Sequence, residues 1–310
     1  MNIQVEYKDT NGKVSSRSYQ MTRIAFAKHM AIAGQGYAPN PQKLFRTLGM
    51  FLHYSSYIQR DNFYNDRFSE PPIQMSDPTE KGQFSNLAGK AIADFLSKKI
   101  NKSLYTVNYE SAMRVQGFPI TGQRPDLIAY SPTSMFAIEA KGRSQNNPGN
   151  MYVHKSQAQS GPINVNFSVA CVSYNLFNQV ACMYYDPLND NVEYDNVSLQ
   201  SLSRIYYKGL SEFLNKNIFE YQEVKYYGES FFEVDLLQYR FHKESFSHSP
   251  FYELFKFYRP QLILPAKIDQ YSRQGITNEI EPFLFDTVEK NNNGHRLYID
   301  NDRVGLRVRK

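Results

Sequence analysis

The chain has 310 residues, of which 41% are apolar and 21% charged, with 24 tyrosines, 22 phenylalanines and no tryptophan. Such a composition supports one large domain or two smaller ones around a sizeable core and excludes the disordered class. The formal net charge of +5 suits a nucleic-acid ligand without specifying one, and no run of ~18 apolar residues exists to span a membrane.

The N-terminal stretch is polar and strand-like and lacks a signal-peptide pattern, so a cytoplasmic protein is expected. Residues 3–20 predict a hairpin: "IQVEY" and "SSRSYQM" alternate around a turn at Asn11-Gly12. Residues 21–33 carry apolar side chains at helical spacing and stop at Gly34 and Gly36. Residues 41–60 predict a second helix with Pro41 in its first turn. The prolines of "SEPPIQMSDPTE" then mark a boundary. Asp77-Pro78-Thr79-Glu80 reads as a helix start, with Asp77 as cap and Glu80 closing a capping box. Phe84, Leu87, Ala88, Ala91 and Phe95 follow on one face, and Lys98 and Lys99 suit the negative end of the helix.

"SLYTVNYE" predicts a strand, "RPDLIAYSPTSMFAIEAKG" two more, and "VHKSQAQS" a short helix. "NVNFSVACVSY" and "QVACMYYDP" predict further strands; they hold Cys171 and Cys182, whose spacing fits no zinc site and which read as reduced core residues. Beyond Pro187, "LQSLSRIYYKGLSEFLNK" predicts an amphipathic helix and "YYGESFFEVDLLQY" a strand. "RLYIDNDRVGLRVRK" predicts a terminal hairpin turning at Asp300-Asn301-Asp302. The organisation expected is an N-terminal hairpin and helical extension (1–75), an α/β core (76–190) and a C-terminal α+β accessory region (191–310). In the core, a mixed four- to five-stranded sheet would be flanked by helices on both faces.

The charges inside the core strands carry the chemistry. Alternation puts Ala137, Glu139 and Lys141 on one strand face, with Glu139 and Lys141 about 7 Å apart along the strand. A turn at Ser131-Pro132-Thr133-Ser134 folds the preceding run back antiparallel and brings Asp126 beside that end. Two converging, partly buried carboxylates repel unless a cation joins them, and an all-oxygen pair suits a hard ion such as Mg²⁺. Metal ligands, a held water and a nearby cation are what metal-assisted phosphodiester hydrolysis requires.

Pro125-Asp126 followed by Glu139-Ala140-Lys141 on the next strand resembles the PD-(D/E)xK nuclease superfamily, the restriction-endonuclease-like fold. The likeness covers roughly residues 77–185. The resemblance implies that Asp126 and Glu139 bind Mg²⁺ (with Mn²⁺ as a substitute), that the Ala140 carbonyl adds a ligand, and that Lys141 positions or activates the attacking water. Many members add an acid from the helix before the first core strand. Glu80 is the candidate, with Glu110 behind it; the chain departs from the usual Gly-Glu of that helix, since Lys90 follows Gly89 in its place. Arg143, Lys155 and Gln157, with Gln159 beside them, are the candidate nucleic-acid contacts. Arg303, Arg307, Arg309 and Lys310 offer further cations, whereas His154 reads as polar surface.

ExK also occurs at Glu6-Tyr7-Lys8 and Glu223-Val224-Lys225, but only the middle copy follows a Pro-Asp strand and a turn. The expected activity is a Mg²⁺-dependent endonuclease on double-stranded DNA, in restriction or another prokaryotic defence, with a homodimer compatible. The alternatives are a non-catalytic DNA-binding or assembly protein that keeps the nuclease fold, and an RNA-cleaving nuclease.

Overall fold

Alternation of buried Ile3 and Val5 with outward polar residues gives the first strand a single apolar face, which must be covered. In the computed structural model, β1 (Asn2–Lys8) and β2 (Val14–Gln20) form the predicted hairpin. The structure describes residues 1–9, 11–36, 42–55, 64–69, 77–186, 196–239, 260–276, 289–290 and 296–308. Helices α1 (Arg23–Ile32) and α2 (Gln42–Ser55) follow; Pro41 lies outside the described residues. The long helix α3 (Pro78–Ile100) starts where expected, with the Asp77 carboxylate accepting from Thr79 N at 2.8 Å.

Next come β3 (Tyr105–Asn108), α4 (Tyr109–Val115), β4 (Leu127–Tyr130), β5 (Met135–Gly142), α5 (Met151–Gln159), β6 (Phe167–Tyr174) and β7 (Ala181–Tyr185). The strand expected over "SLYTVNYE" is therefore cut short. Asn108 caps a helix through Ser111 N, and Glu110 falls in the first helical turn.

These strands make one mixed sheet of seven, ordered β2-β1-β7-β6-β5-β4-β3. It is larger than the four or five strands expected, because β1 pairs in parallel with β7, Val5 opposite Cys182, and brings β2 with it. That pairing covers an edge that β7 would otherwise leave open. The hairpin expected in segment 1–75 thus adds two strands to the core sheet. Within the sheet, β3–β4 and β4–β5 are antiparallel and β5–β6 parallel, joined through the crossover helix α5. Met151 of α5 packs on Ala170 and Val172 of β6, whereas Cys171 points into the main core on the opposite face, where α3 lies. The two cysteines are free and buried, with their sulfurs 3.6 Å apart.

The C-terminal part holds α6 (Asn196–Ser211), β8 (Phe219–Tyr226), β9 (Glu229–Tyr239), β10 (Gln261–Pro265), α7 (Ile268–Gln274), β11 (Glu289–Lys290), β12 (Arg296–Ile299) and β13 (Gly305–Val308). Its strands form a second, antiparallel sheet of six, ordered β11-β12-β13-β10-β9-β8. "YYGESFFEVDLLQY" is not one strand: it turns at Tyr227-Gly228 between β8 and β9. Tyr206 of α6 stacks on Tyr105 of β3 at 5.1 Å, and the Tyr105 hydroxyl donates to Leu199 O at 3.1 Å.

A buried ion network ties the two sheets together. Asp302, in the β12–β13 turn, accepts from Lys28 of α1 at 2.8 Å, Lys98 of α3 at 2.7 Å and the Tyr206 hydroxyl at 2.7 Å. Asp300 lies 3.1 Å from each of the same two lysines. Asp94 of α3 holds His29 Nδ1 at 2.6 Å and accepts from Thr106 Oγ1 at 2.7 Å. The predicted Asp-Asn-Asp turn is present, but it is buried. Buried charges of this kind are tolerated only when paired and hydrogen-bonded.

Candidate active site

Asp126 immediately precedes β4, and backbone bonds fix it there. Its N–H donates to Ile138 O at 3.1 Å, and its carbonyl accepts from Tyr109 N at 3.0 Å. The β4–β5 turn closes as the sequence predicts, with Ser131 N–H donating to Ser134 O at 2.8 Å. The fold-back brings the Asp126 carboxylate to the end of β5, where Oδ2 accepts from Ala140 N at 3.2 Å. Alternate residues of a strand direct their N–H and C=O to the same neighbour, so the Ala140 carbonyl faces the Asp126 side.

Asp126, Glu139 and Lys141 converge. Lys141 Nζ lies 3.6 Å from Asp126 Oδ2 and in close contact with Glu139 Oε1. Glu139 is wholly buried, and its Oε2 accepts no hydrogen bond. Burial first, and then the charge of Asp126, pushes its carboxyl pKa up from 4.5 to about 7, against the pull of Lys141. Burial pushes the Lys141 ammonium down, but Asp126 and Glu139 outweigh it and hold its pKa above the ordinary value.

A second ammonium completes the cluster. Lys90 Nζ of α3 lies 3.1 Å from Asp126 Oδ1. It reaches the site because α3 touches β5 backbone to backbone. A Cβ on Gly142 would fall 1.7 Å from the Ser85 carbonyl oxygen, and one on Gly89 would fall 2.4 Å from Gly142 N. Only glycine at both positions permits this approach. Two carboxylates thus face two ammonium groups, a balanced set.

The donor set fits a hard cation. It offers two carboxylates and a strand-edge carbonyl, all oxygen, and it contains a buried carboxylate oxygen with no partner, which costs free energy as it stands. Among the described residues no cluster of three or more His, Cys, Asp or Glu could hold a metal, so the described part of the site supplies two acids.

Glu80 does not join them. It sits in the first turn of α3, ten residues before Lys90, about 15 Å along the axis at 1.5 Å per residue. Glu110 is engaged with Arg124, which donates through Nε at 2.9 Å.

The expected nucleic-acid contacts divide. Lys155 is a correction: it is buried, donates to the carbonyl and the hydroxyl of Ser168 (2.8 Å to Oγ), and lies 3.7 Å from Asp186. The parallel β5–β6 register turns that helix position into the sheet. Arg143 is half-buried at the end of β5, its Nη2 3.1 Å from His154 Nε2. Gln157 donates to Arg124 O at 3.3 Å, on the loop that leads to Asp126, while Gln159 is exposed at the end of α5. Arg307 pairs with Glu233 at 2.6 Å and Arg303 with Glu229 at 3.3 Å, so both lie against carboxylates on the second sheet. Arg309 and Lys310 lie outside the described residues.

Two residues at the site, His154 and Lys90, were given no site role by the sequence. His154 is buried, not surface. Burial, then Arg143 and Lys141, lowers its pKa. A guanidinium only donates, so Nε2 accepts and the ring proton sits on Nδ1. Lys90 carried a signal: glycine inside a helix costs about 1 kcal/mol and marks close backbone approach. Comparison with protein-family models, with curated proteins and with solved structures gave no match.

Proposed function

We propose that the chain is a Mg²⁺-dependent endonuclease that hydrolyses phosphodiester bonds of DNA, built on a restriction-endonuclease-like core. The observation that carries this reading is the convergence of Asp126 and Glu139 on Lys141, with a buried Glu139 oxygen left unpaired. The order α3, β3, β4, β5, with the short α4 inserted after β3, supports it, as do the parallel β6 and the intervening α5.

In this reading Asp126, Glu139 and the Ala140 carbonyl would hold Mg²⁺ or Mn²⁺. The bound ion would supply charge stabilisation at the phosphoryl oxygens and a more acidic water. Lys141 would orient that water and receive hydrogen bonding from neither strand neighbour, since its ammonium only donates. Arg143, just past the end of β5, would be a phosphate contact, its guanidinium held by His154.

The test is incubation of the pure protein with plasmid, single-stranded DNA and RNA in parallel, with Mg²⁺ and with chelator. Plasmid cleavage with Mg²⁺, abolished by Asp126→Ala and by Lys141→Ala, is the expected result. Cleavage by either variant at the wild-type rate refutes the site. RNA cleavage alone would move the substrate to RNA.

One observation favours a second reading, a non-catalytic DNA-binding protein of the same fold: Lys90 and Lys141 already balance both carboxylates without a metal. Melting with and without Mg²⁺ or Mn²⁺ separates the two, because an ion that binds only the folded state raises its stability. An unshifted transition with DNA binding retained supports the second.

A further inference from the structure

Beside the carboxylate pair a pocket of about 100 Å³ opens between α1, α2 and α3. Arg46, Lys90 and Asn108 supply its polar lining, and Met30, Met50 and Leu127 are among its apolar walls. Leu127 directly follows Asp126, so pocket and carboxylate pair are adjacent. A cavity of this size has room for several waters, and hence for a tetrahedral oxyanion. Arg46 is exposed and pairs with no carboxylate among the described residues.

Lys90 belongs to both places. It is among the residues lining the pocket, while its ammonium lies on Asp126. The side chain is one-third exposed, at 34%, and a lysine head on a flexible four-carbon stem can swing between two partners. A divalent cation held by Asp126 and Glu139 would repel the ammonium, which lies 3.1 Å from the other Asp126 oxygen, Oδ1. The head then has an adjacent cavity to enter, one that already holds a guanidinium and therefore needs an anion before a second positive charge is stable.

We propose that this pocket is a phosphate subsite for the nucleotide next to the one at the carboxylate pair, and that Lys90 moves from Asp126 to that phosphate when a metal ion binds. The proposal rests on the nuclease reading and adds to it a second phosphate position and a link between metal and strand binding. Linkage makes the coupling reciprocal: phosphate in the pocket tightens metal binding by the same factor.

The probe is deoxythymidine 3′,5′-bisphosphate, which carries two phosphates one nucleoside apart and has no internucleotide bond to cleave. Its binding is followed by ³¹P NMR titration, in EDTA and in Mg²⁺. Arg46→Ala is expected to weaken binding about tenfold in both conditions, the loss of one charge-assisted contact. Lys90→Gln is expected to leave Kd within about twofold in EDTA, where Lys90 serves Asp126, and to weaken it about tenfold in Mg²⁺. Both side chains are partly exposed, and an unchanged melting temperature verifies the fold of each variant.

Equal weakening by Lys90→Gln in the two conditions, or none in Mg²⁺, overturns the switch. Indifference to Arg46→Ala overturns the subsite. Should the expected pattern hold in a protein that cleaves no nucleic acid, the subsite stands and the hydrolase reading falls; cleavage without the pattern gives the reverse.

Discussion

Replacing Glu139 with glutamine separates what the site costs from what it does. Its carboxyl has an ordinary pKa of 4.5 and one near 7 in the folded protein, raised by burial and by Asp126. The folded state therefore holds this proton more tightly than the unfolded chain. Stability falls as pH rises from about 4.5 to about 7, and the loss is complete above that window. At about 1.4 kcal/mol for each tenfold in proton affinity, the ionised carboxylate destabilises the metal-free protein by about 3 kcal/mol. Glu139→Gln keeps the shape and removes the charge, while Asp126 continues to hold Lys141. In EDTA at pH 8 the variant should be more stable than wild type by up to about 3 kcal/mol, or about 5 °C in Tm at ~2 cal/mol/K per residue. At pH 4.5 the two should converge. In saturating Mg²⁺ wild type should recover what the variant gained. The assay is urea denaturation across pH 4.5–8, with chelator and with Mg²⁺. A variant less stable than wild type at pH 8, or a difference that ignores pH, refutes the claim that Glu139 is a buried charge held for a cation.

Gly142→Ala drives a methyl group into the Ser85 carbonyl; separation of α3 from β5 should cost about 1–3 kcal/mol or more in chemical denaturation and lengthen the Lys90–Asp126 contact. Lys155→Met removes an ammonium group that lies 3.7 Å from the buried Asp186. It should cost about 3–5 kcal/mol while DNA affinity, measured by anisotropy where the variant is folded, stays at the wild-type value; a selective loss of affinity would restore Lys155 as a phosphate contact. Asp302→Ala leaves the buried Lys28 and Lys98 to share Asp300 and should cost up to about 3–5 kcal/mol, read from the urea midpoint.

The site was legible where one strand and one turn decided it. Alternation alone put Glu139 and Lys141 on one face, and the Ser-Pro-Thr-Ser turn returned Asp126 to them. What was hidden depended on partners far away in the chain. Lys155 reads as a helix-surface cation until β6 supplies Ser168 beneath it, and Arg307 reads as a free strand cation until β9 supplies Glu233. The same holds for β1: its local pattern predicts a hairpin, but only the open edge of β7 makes that hairpin part of the core sheet. Side-chain periodicity reports which face is apolar; it carries no information about which remote carboxylate or strand edge will meet it.

Helix α3 shows why the C-terminal hairpin matters to a site it never touches. At Ser85 and Gly89 the helix lies on the β5 backbone, and one residue later Lys90 meets Asp126. Eight residues further on, about 12 Å along the axis, Lys98 is held by Asp302, 204 positions away in sequence. A helix fixed at one end by backbone contact and at the other by buried carboxylates has little freedom to slide or rotate. The reach of the Lys90 ammonium to Asp126 is accordingly set from both ends. The Asp300–Asp302 turn, through Lys98, acts on the carboxylate pair by holding the rod that carries its second lysine.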